Sequence, residues 1–366
     1  MAGAIVLFGA TGYTGRLVAR SLAAAGARPV LAGRDQGRLA ALAAELGGLP
    51  TAVADADRPE RVRGLLGEGD VLVTTVGPFI RRGGAAVRAA VEAGAAYLDA
   101  AGEPPFIRRV FEEHGPAASG RCGLVTAFGY DYVPGNLAGA LALRAAGGAA
   151  ARVDVGYFLT GRGGLSTGTL ASGAGLLGEP SFAFRDGRLA SERSARRVRS
   201  FQVDGARLAG VSVGGSEHFA LPRLAPALRE VNVYLGWFGP LARAVQAGAA
   251  AGGLLARLPG ARALVQAAAA PLAGRTGAGP DEASRARTGS YAVALAYDGD
   301  GGQLAEVRLR GVNPYTFTGA MLAWGARRAA EAGLAGTGAL GPVDAFGLDA
   351  LEAGAVQAGL ARVTPG

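Results

Sequence analysis

Residues 5–15 read IVLFGATGYTG. Four apolar residues, Ile5 to Phe8, run into glycines at 9, 12 and 15, and the next stretch carries Leu17, Val18, Leu22 and Ala25 at the spacing of one helix face. A buried strand, a glycine-rich bend and an amphipathic helix in that order form a dinucleotide-binding turn. Gly9 permits the tight bend, Gly12 lets backbone approach a pyrophosphate, and Gly15 lets the helix pack closely on its strand. The expected cofactor contacts are therefore Gly9, Ala10, Thr11, Gly12, Tyr13, Thr14 and Gly15. Glycine alone is weak evidence in a chain holding 62 of them. The strand before and the helix after give the pattern its meaning.

A second apolar strand, Pro29 to Ala32, ends in Gly33-Arg34-Asp35, where an NAD-type domain places an acid on the ribose hydroxyls. Arg34 stands there instead. Its planar fork of donors suits a 2′-phosphate, which predicts NADPH over NADH. Arg38, four residues on, is either a second contact or a solvated helix residue.

Strand and helix signals continue to alternate up to about residue 129. The pattern predicts a helix over Gln36 to Leu46 and a strand over Ala52 to Ala54, with Asp55 beside the adenine. A further helix, Pro59 to Leu66, precedes a strand over Val71 to Val76. That strand breaks at Gly77-Pro78-Phe79, where a nicotinamide ribose is expected, so Val76, Gly77, Pro78 and Phe79 join the cofactor contacts. A helix over Ala85 to Ala93 and a strand over Ala96 to Asp99 follow, with Gly102 a cofactor contact and Glu103 a substrate contact just past the tip. One more strand, Gly123 to Phe128, feeds the run Tyr130-Asp131-Tyr132.

Past about Ala150 the period changes to two. Arg152 to Leu159, Ser290 to Tyr297 and Gln303 to Arg310 read as half-buried strands, the last two joined by a turn at 298–302. Helices are expected near Thr167, within 240–272, and over Thr316 to Gly333 and Leu348 to Leu360. The fold class is α/β: a doubly wound parallel sheet of Rossmann type plus a second α+β domain with a mainly antiparallel sheet. The expected organisation is a dinucleotide-binding domain over 1–134, a substrate domain over 135–314 and a helical segment over 315–366 packing back on the first.

The formal net charge of +8 comes entirely from arginine, since the chain has no lysine, which excludes Schiff-base and lysine general-base chemistry. One cysteine and two histidines exclude an internal disulfide and a zinc cluster, so no metal is expected. Basic residues are scattered without interleaved aromatics, which argues against nucleic acid and for anionic substrates or an acidic partner. The densest patch is Arg193, Arg196, Arg197 and Arg199. The most apolar run, Ala244 to Ala256, is flanked by Arg243 and Arg257 and does not read as a transmembrane helix. A nucleotide-binding strand starting at residue 5 leaves no room for a signal peptide, so a cytoplasmic protein is expected.

Taken together the motifs resemble the saccharopine dehydrogenase-like reductases, and within them the trans-acting enoyl reductases. The stretches carrying the resemblance include GATGYTGRLVARSL, VLAGRDQGRL, VTTVGPFIRRGGAAVRAAVEAGAAYLDAAGE, FGYDYVPGNLAGALAL, GLSTGTLAS, NPYTFTGAML and ALGPVDAFG. Two positions depart from it: the usual Phe-Asp-Ser is Tyr130-Asp131-Tyr132, and the acid after the proline is Asn136. The resemblance implies NADPH-dependent hydride transfer to an activated double bond, with an unsaturated acyl substrate used as a small molecule or on a carrier protein in lipid or polyketide assembly. Peripheral membrane contact and a homodimer are compatible with it. A C=N reductase or amino-acid dehydrogenase, and a non-catalytic NADPH-binding protein, are the alternative functions. For the proton, Tyr130 and Tyr132 are the sharp candidates, the alternative being rings that only pack, and Asp131 either orients a partner, stabilises a backbone turn or holds substrate. Thr167 and Thr169, beside Ser166 at a helix start, are either substrate contacts or caps. Glu103 and Tyr315 are expected to close the site, and His218 is expected to be structural.

Overall fold

The computed structural model describes residues 3–161, 180–255 and 279–363. The chain divides into two compact units, one of Met1–Leu137 with Pro314–Leu360 and one of Ala138–Asn313 with Ala361–Gly366.

In the first unit, β1 (Ile5–Phe8), β2 (Val30–Gly33), β3 (Thr51–Val53), β4 (Val71–Thr74), β5 (Ala96–Asp99) and β6 (Gly123–Val125) pair in parallel. The centre of the sheet, β1 and β4, is buried at every residue, as expected where helices cover both faces. Helices Tyr13–Ala24 and Gln36–Glu45 follow β1 and β2. The helix expected from Ala85 begins six residues earlier, at Phe79. Pro78 suits that start, and the Glu103 carboxylate receives the N–H groups of Phe79 and Ile80, both at 2.7 Å. The β6 strand is shorter than expected because Ala127 takes φ +59°, turning the chain out of the sheet.

The second unit is built on β7 (Arg152–Gly161), β8 (Pro180–Arg185), β9 (Arg188–Arg193), β10 (Val198–Val203), β11 (Ala206–Ser212), β12 (Glu230–Leu235), β13 (Thr288–Tyr297) and β14 (Gln303–Gly311). Its sheet is antiparallel except where β7 and β12 run in parallel. The hairpin at 298–302 forms as expected, with Asp298 Oδ1 accepting from the N–H groups of Asp300 and Gly302. Strands β8 to β12 carry weak alternation and were not legible individually. A core of Phe158, Phe201, Val203, Tyr234, Tyr291 and Val293 lies on one face.

The C-terminal segment is not wholly helical. Helix Pro314–Ala332 packs on Tyr13–Ala24, where a side chain at Gly319 would strike Leu17. Two short strands were missed: β15 (Gly338–Ala339) joins β6 in parallel, and β16 (Leu360–Arg362) extends the second sheet. The first sheet thus runs β15-β6-β5-β4-β1-β2-β3, with its order reversing between β1 and β4. Such a switch point opens a crevice at the C-terminal strand ends.

Candidate functional site

The glycine turn sits at that switch point. Gly9 adopts φ +90°, which side-chain-bearing residues rarely take, and a Cβ at Gly15 would lie 2.1 Å from Gly9 O. The helix after it starts at exposed Gly12, with no side-chain cap and no acid in its first turn. Its N-terminal dipole and N–H groups therefore suit an anion. Thr75, which sequence reasoning passed over, ties β4 to the turn through Oγ1 to Gly9 O at 3.1 Å. Arg16, also passed over, reaches Thr11 O with Nε at 3.4 Å.

At the β2 tip Arg34 is exposed, while the Asp35 carboxylate is turned into its own helix, capping the Arg38 N–H at 2.9 Å. The guanidinium of Arg38 crosses to Thr11 O at 3.2 Å, which places two arginines beside the turn and no acid on the ribose position. Such a donor set fits the 2′-phosphate and pyrophosphate of NADP. Asp55 closes the turn after β3, its Oδ1 accepting from Asp57 N at 3.1 Å. Val76 is half-buried, and Gly77 and Pro78 are exposed at the end of β4. The Phe79 ring is buried against Phe106, with centroids 5.6 Å apart.

Past β5 and β6 the candidates separate. Glu103, expected at the substrate, uses both carboxylate oxygens to hold the start of helix Phe79–Ala93. Tyr130 and Tyr132, expected as proton donors, are 2% and 0% exposed. The Tyr130 N–H donates to Thr318 Oγ1 at 3.0 Å and its ring meets Phe317, while the Tyr132 hydroxyl points to Gly102 O at 3.4 Å. Asn136 is buried and donates from Nδ2 to Tyr132 O at 2.9 Å. Helix Pro314–Ala332 thus meets Tyr130 through Phe317 and Thr318.

Asp131, between the two tyrosines, differs from both. The residue as a whole keeps some exposure, but its Oδ1 is fully buried with no hydrogen-bond partner. Loss of hydration pushes its carboxyl up to about 7. Tyr315 stands near it, its phenol raised by burial and then by Asp131 and Tyr13, and the Tyr13 and Tyr315 rings meet edge to face at 5.1 Å. Asp99, a residue the sequence reading left as a strand end, is wholly buried. Its Oδ1 accepts from Ala101 N at 2.8 Å, Ala127 N at 2.8 Å and Thr126 Oγ1 at 3.1 Å, and burial raises it to about 6. A lone acid closing the apolar strand Ala96–Asp99 was the available signal.

In the second unit, Ser166, Thr167 and Thr169 lie outside the described residues. The arginine patch is not a free surface. Arg197 forms a two-pronged pair with Glu192, Arg199 pairs with Asp154, and Arg193 donates to Ala195 O and Gln246 O at 3.2 and 3.4 Å. Arg196 alone of the four is exposed. His218 is buried, with its titration pushed down to about 4 chiefly by burial, as a structural histidine should be. Among the described residues no group of acids, histidines or cysteines could hold a metal ion, and no helix is long and apolar enough to cross a membrane.

Residues 5–118 match the family model of the saccharopine dehydrogenase NADP binding domain. Two curated relatives are similar over shorter stretches. A Mycobacterium tuberculosis protein assigned provisionally to the trans-acting enoyl reductases is 40% identical over 178 residues, 46% of this chain and 42% of that one. A trans-acting enoyl reductase of Mycobacterium leprae is 40% identical over 140 residues, 36% of this chain and 34% of that one. The matches span less than half of either relative. Among solved structures, apo saccharopine dehydrogenase (L-Glu forming) from Saccharomyces cerevisiae aligns with a TM-score of 0.57 at 13% identity, covering 99% of this chain and 100% of that one, a likeness of fold. These likenesses agree with the resemblance read from the motifs, and the fold class read there is shown.

Proposed function

We propose that this NADP-binding chain is an NADPH-dependent oxidoreductase that reduces an activated carbon–carbon double bond, its substrate an α,β-unsaturated acyl thioester. The observation that carries the cofactor is the uncapped, acid-free helix start at Gly12 with Arg34 and Arg38 beside it. The names of the mycobacterial relatives support the acyl substrate. When bound there, NADPH supplies the hydride. The chain's own part is to hold the phosphates at the glycine turn, leave the Gly77-Pro78 edge open, and provide a proton at the tips of β5 and β6. The lack of lysine in the whole chain makes a carboxyl or a phenol the natural source of that proton.

The test is direct. Purified protein is mixed with NADPH and a panel of 2-enoyl thioesters and cyclic imines. NADPH consumption with a two-hydrogen mass gain on the thioesters supports the reading. Reduction of imines alone would replace it with a C=N reductase, and tight NADPH binding without turnover on any member would leave a cofactor-binding protein.

A further inference from the structure

We propose that Asp131 is the general acid of the reduction and that Asp99 is the residue that positions it. The inference rests on the reading of the chain as a reductase and adds the proton donor to it. Asp131 stands in the chain just beyond β6, and Gly102, just beyond β5, lies against it: a Cβ on Gly102 would come within 3.2 Å of Asp131 Oδ2. Glycine at 102 lets the chain past β5 approach the carboxyl closely, at the sheet edge where doubly wound folds bind ligands. Among the described residues Asp131 Oδ1 has no partner, whereas the flanking tyrosines are buried and Tyr132 already faces Gly102 O. A buried donor without a partner inside the fold is suited to one supplied by a ligand.

Among the described residues, the Tyr315 phenol stands near Asp131. Tyr315 comes from helix Pro314–Ala332, and Tyr13, on the helix after the glycine turn, meets Tyr315 in turn. Tyr132 adjoins it in the chain. Loss of hydration raises its titration, and among the described residues no arginine holds the carboxyl ionised. The acid therefore keeps its proton in a large fraction of molecules at neutral pH, the condition a proton donor needs. With hydride added at the β-carbon, the π-electron pair of the double bond forms a new bond from the α-carbon to the proton on Asp131. The Asp131 O–H bond breaks, a carboxylate remains, and solvent returns the proton.

Asp99 joins the two arms that set this geometry. Its Oδ1 receives the N–H groups of Ala101 and Ala127 and the Thr126 hydroxyl, and its backbone carbonyl receives the Phe128 N–H at 2.7 Å. Ala127, held in the left-handed region, in turn accepts from Tyr132 N at 2.8 Å. One buried carboxylate thus fixes both the Gly102 arm and the Asp131 arm.

The experiment uses the whole chain with its aspartate carboxyls labelled with carbon-13, titrated by NMR without cofactor. A resonance should titrate near 7 and vanish in Asp131→Asn. In Asp99→Asn that resonance should shift or broaden as the arm loosens. In turnover, Asp131→Asn should lose about a hundred- to ten-thousand-fold, with the NADPH dissociation constant held within about twofold. Asp131→Glu, which keeps a proton to give, should recover part of that loss. Asp99→Asn should lower turnover by about tenfold and move the pH at which activity falls away, a change that mere loss of packing does not produce. A folded Asp131→Asn protein with more than about a third of normal turnover overturns the proposal, as does the lack of any carboxyl titrating above the ordinary aspartate range. If the unmutated protein reduces no double bond, the reductase reading fails, and the titration still decides whether Asp131 holds a proton at neutral pH.

Discussion

The strand tips of the first unit and the sheet face of the second each bury an aspartate, and they treat it oppositely. On β7, Asp154 is paired from every side: Arg199 binds Oδ2, Arg152 approaches it at 3.5 Å, and Asn232 Nδ2 donates to Oδ1 at 2.6 Å. Past β6, Asp131 has an oxygen with nothing to accept from. Removing a carboxylate from water costs several kcal/mol unless partners replace the lost hydration. At Asp154 partners do so and the charge ties strands together. At Asp131 they do not, and the carboxyl is pushed up to about 7. The first arrangement ties strands together; the second leaves an acid that exchanges its proton near neutral pH.

The largest effect should come from breaking the paired site. Asp154→Ala leaves the guanidinium groups of Arg199 and Arg152 without their shared acid and should destabilise the second unit by about 3–5 kcal/mol in denaturant unfolding. A loss below about 1 kcal/mol would mean that the network is only a solvated cluster.

The unpaired site should respond with the opposite sign. Both Asp99 and Asp131 titrate higher in the folded chain than the ordinary 3.8, at about 6 and about 7. Their protonated forms therefore stabilise the fold. That contribution is full below about pH 4 and is lost as pH rises through about 6 for Asp99 and about 7 for Asp131. Stability measured across pH should fall over this window, and Asp131→Asn should flatten its upper half, gaining about 1–4 kcal/mol at pH 8 while losing turnover. A destabilised Asp131→Asn protein at pH 8 would erase the contrast with Asp154.

The cofactor edge sharpens the comparison further, because its charges await a ligand. Arg34→Ala should lower the preference for NADPH over NADH by about tenfold, and Arg38→Ala by less, since its guanidinium also holds Thr11 O. Equal dissociation constants for the two cofactors in the unmutated protein would sink this assignment. The smallest effect is expected at Arg196, exposed beside three arginines whose hydrogen bonds lie inside the fold. Arg196→Glu should change the rate on a carrier-bound thioester by less than about twofold at physiological salt. A larger loss, absent with a short soluble thioester, would restore the arginine stretch as a docking surface.

The legible parts were those whose cause is local. Glycines at 9, 12 and 15 between an apolar strand and a helix, and the two-residue period of Ser290 to Tyr297, announce themselves because a turn or a half-buried strand constrains consecutive residues. Strands such as β9 and β11 hid because their burial does not alternate cleanly, and β15 and β16 because two or three residues carry no period.

By itself the sequence determined the doubly wound sheet, the glycine-rich turn with Arg34 in place of an acid at the next strand tip, and the exclusion of lysine chemistry. Only the tertiary structure decided which side chains of Tyr130-Asp131-Tyr132 pack and which one remains unpartnered. That choice depends on Gly102, Tyr315 and Thr318, the last hydrogen-bonded to Tyr130 from 188 residues away. A residue's hydration and its charge partners belong to the folded surroundings, and no local pattern in the chain encodes them.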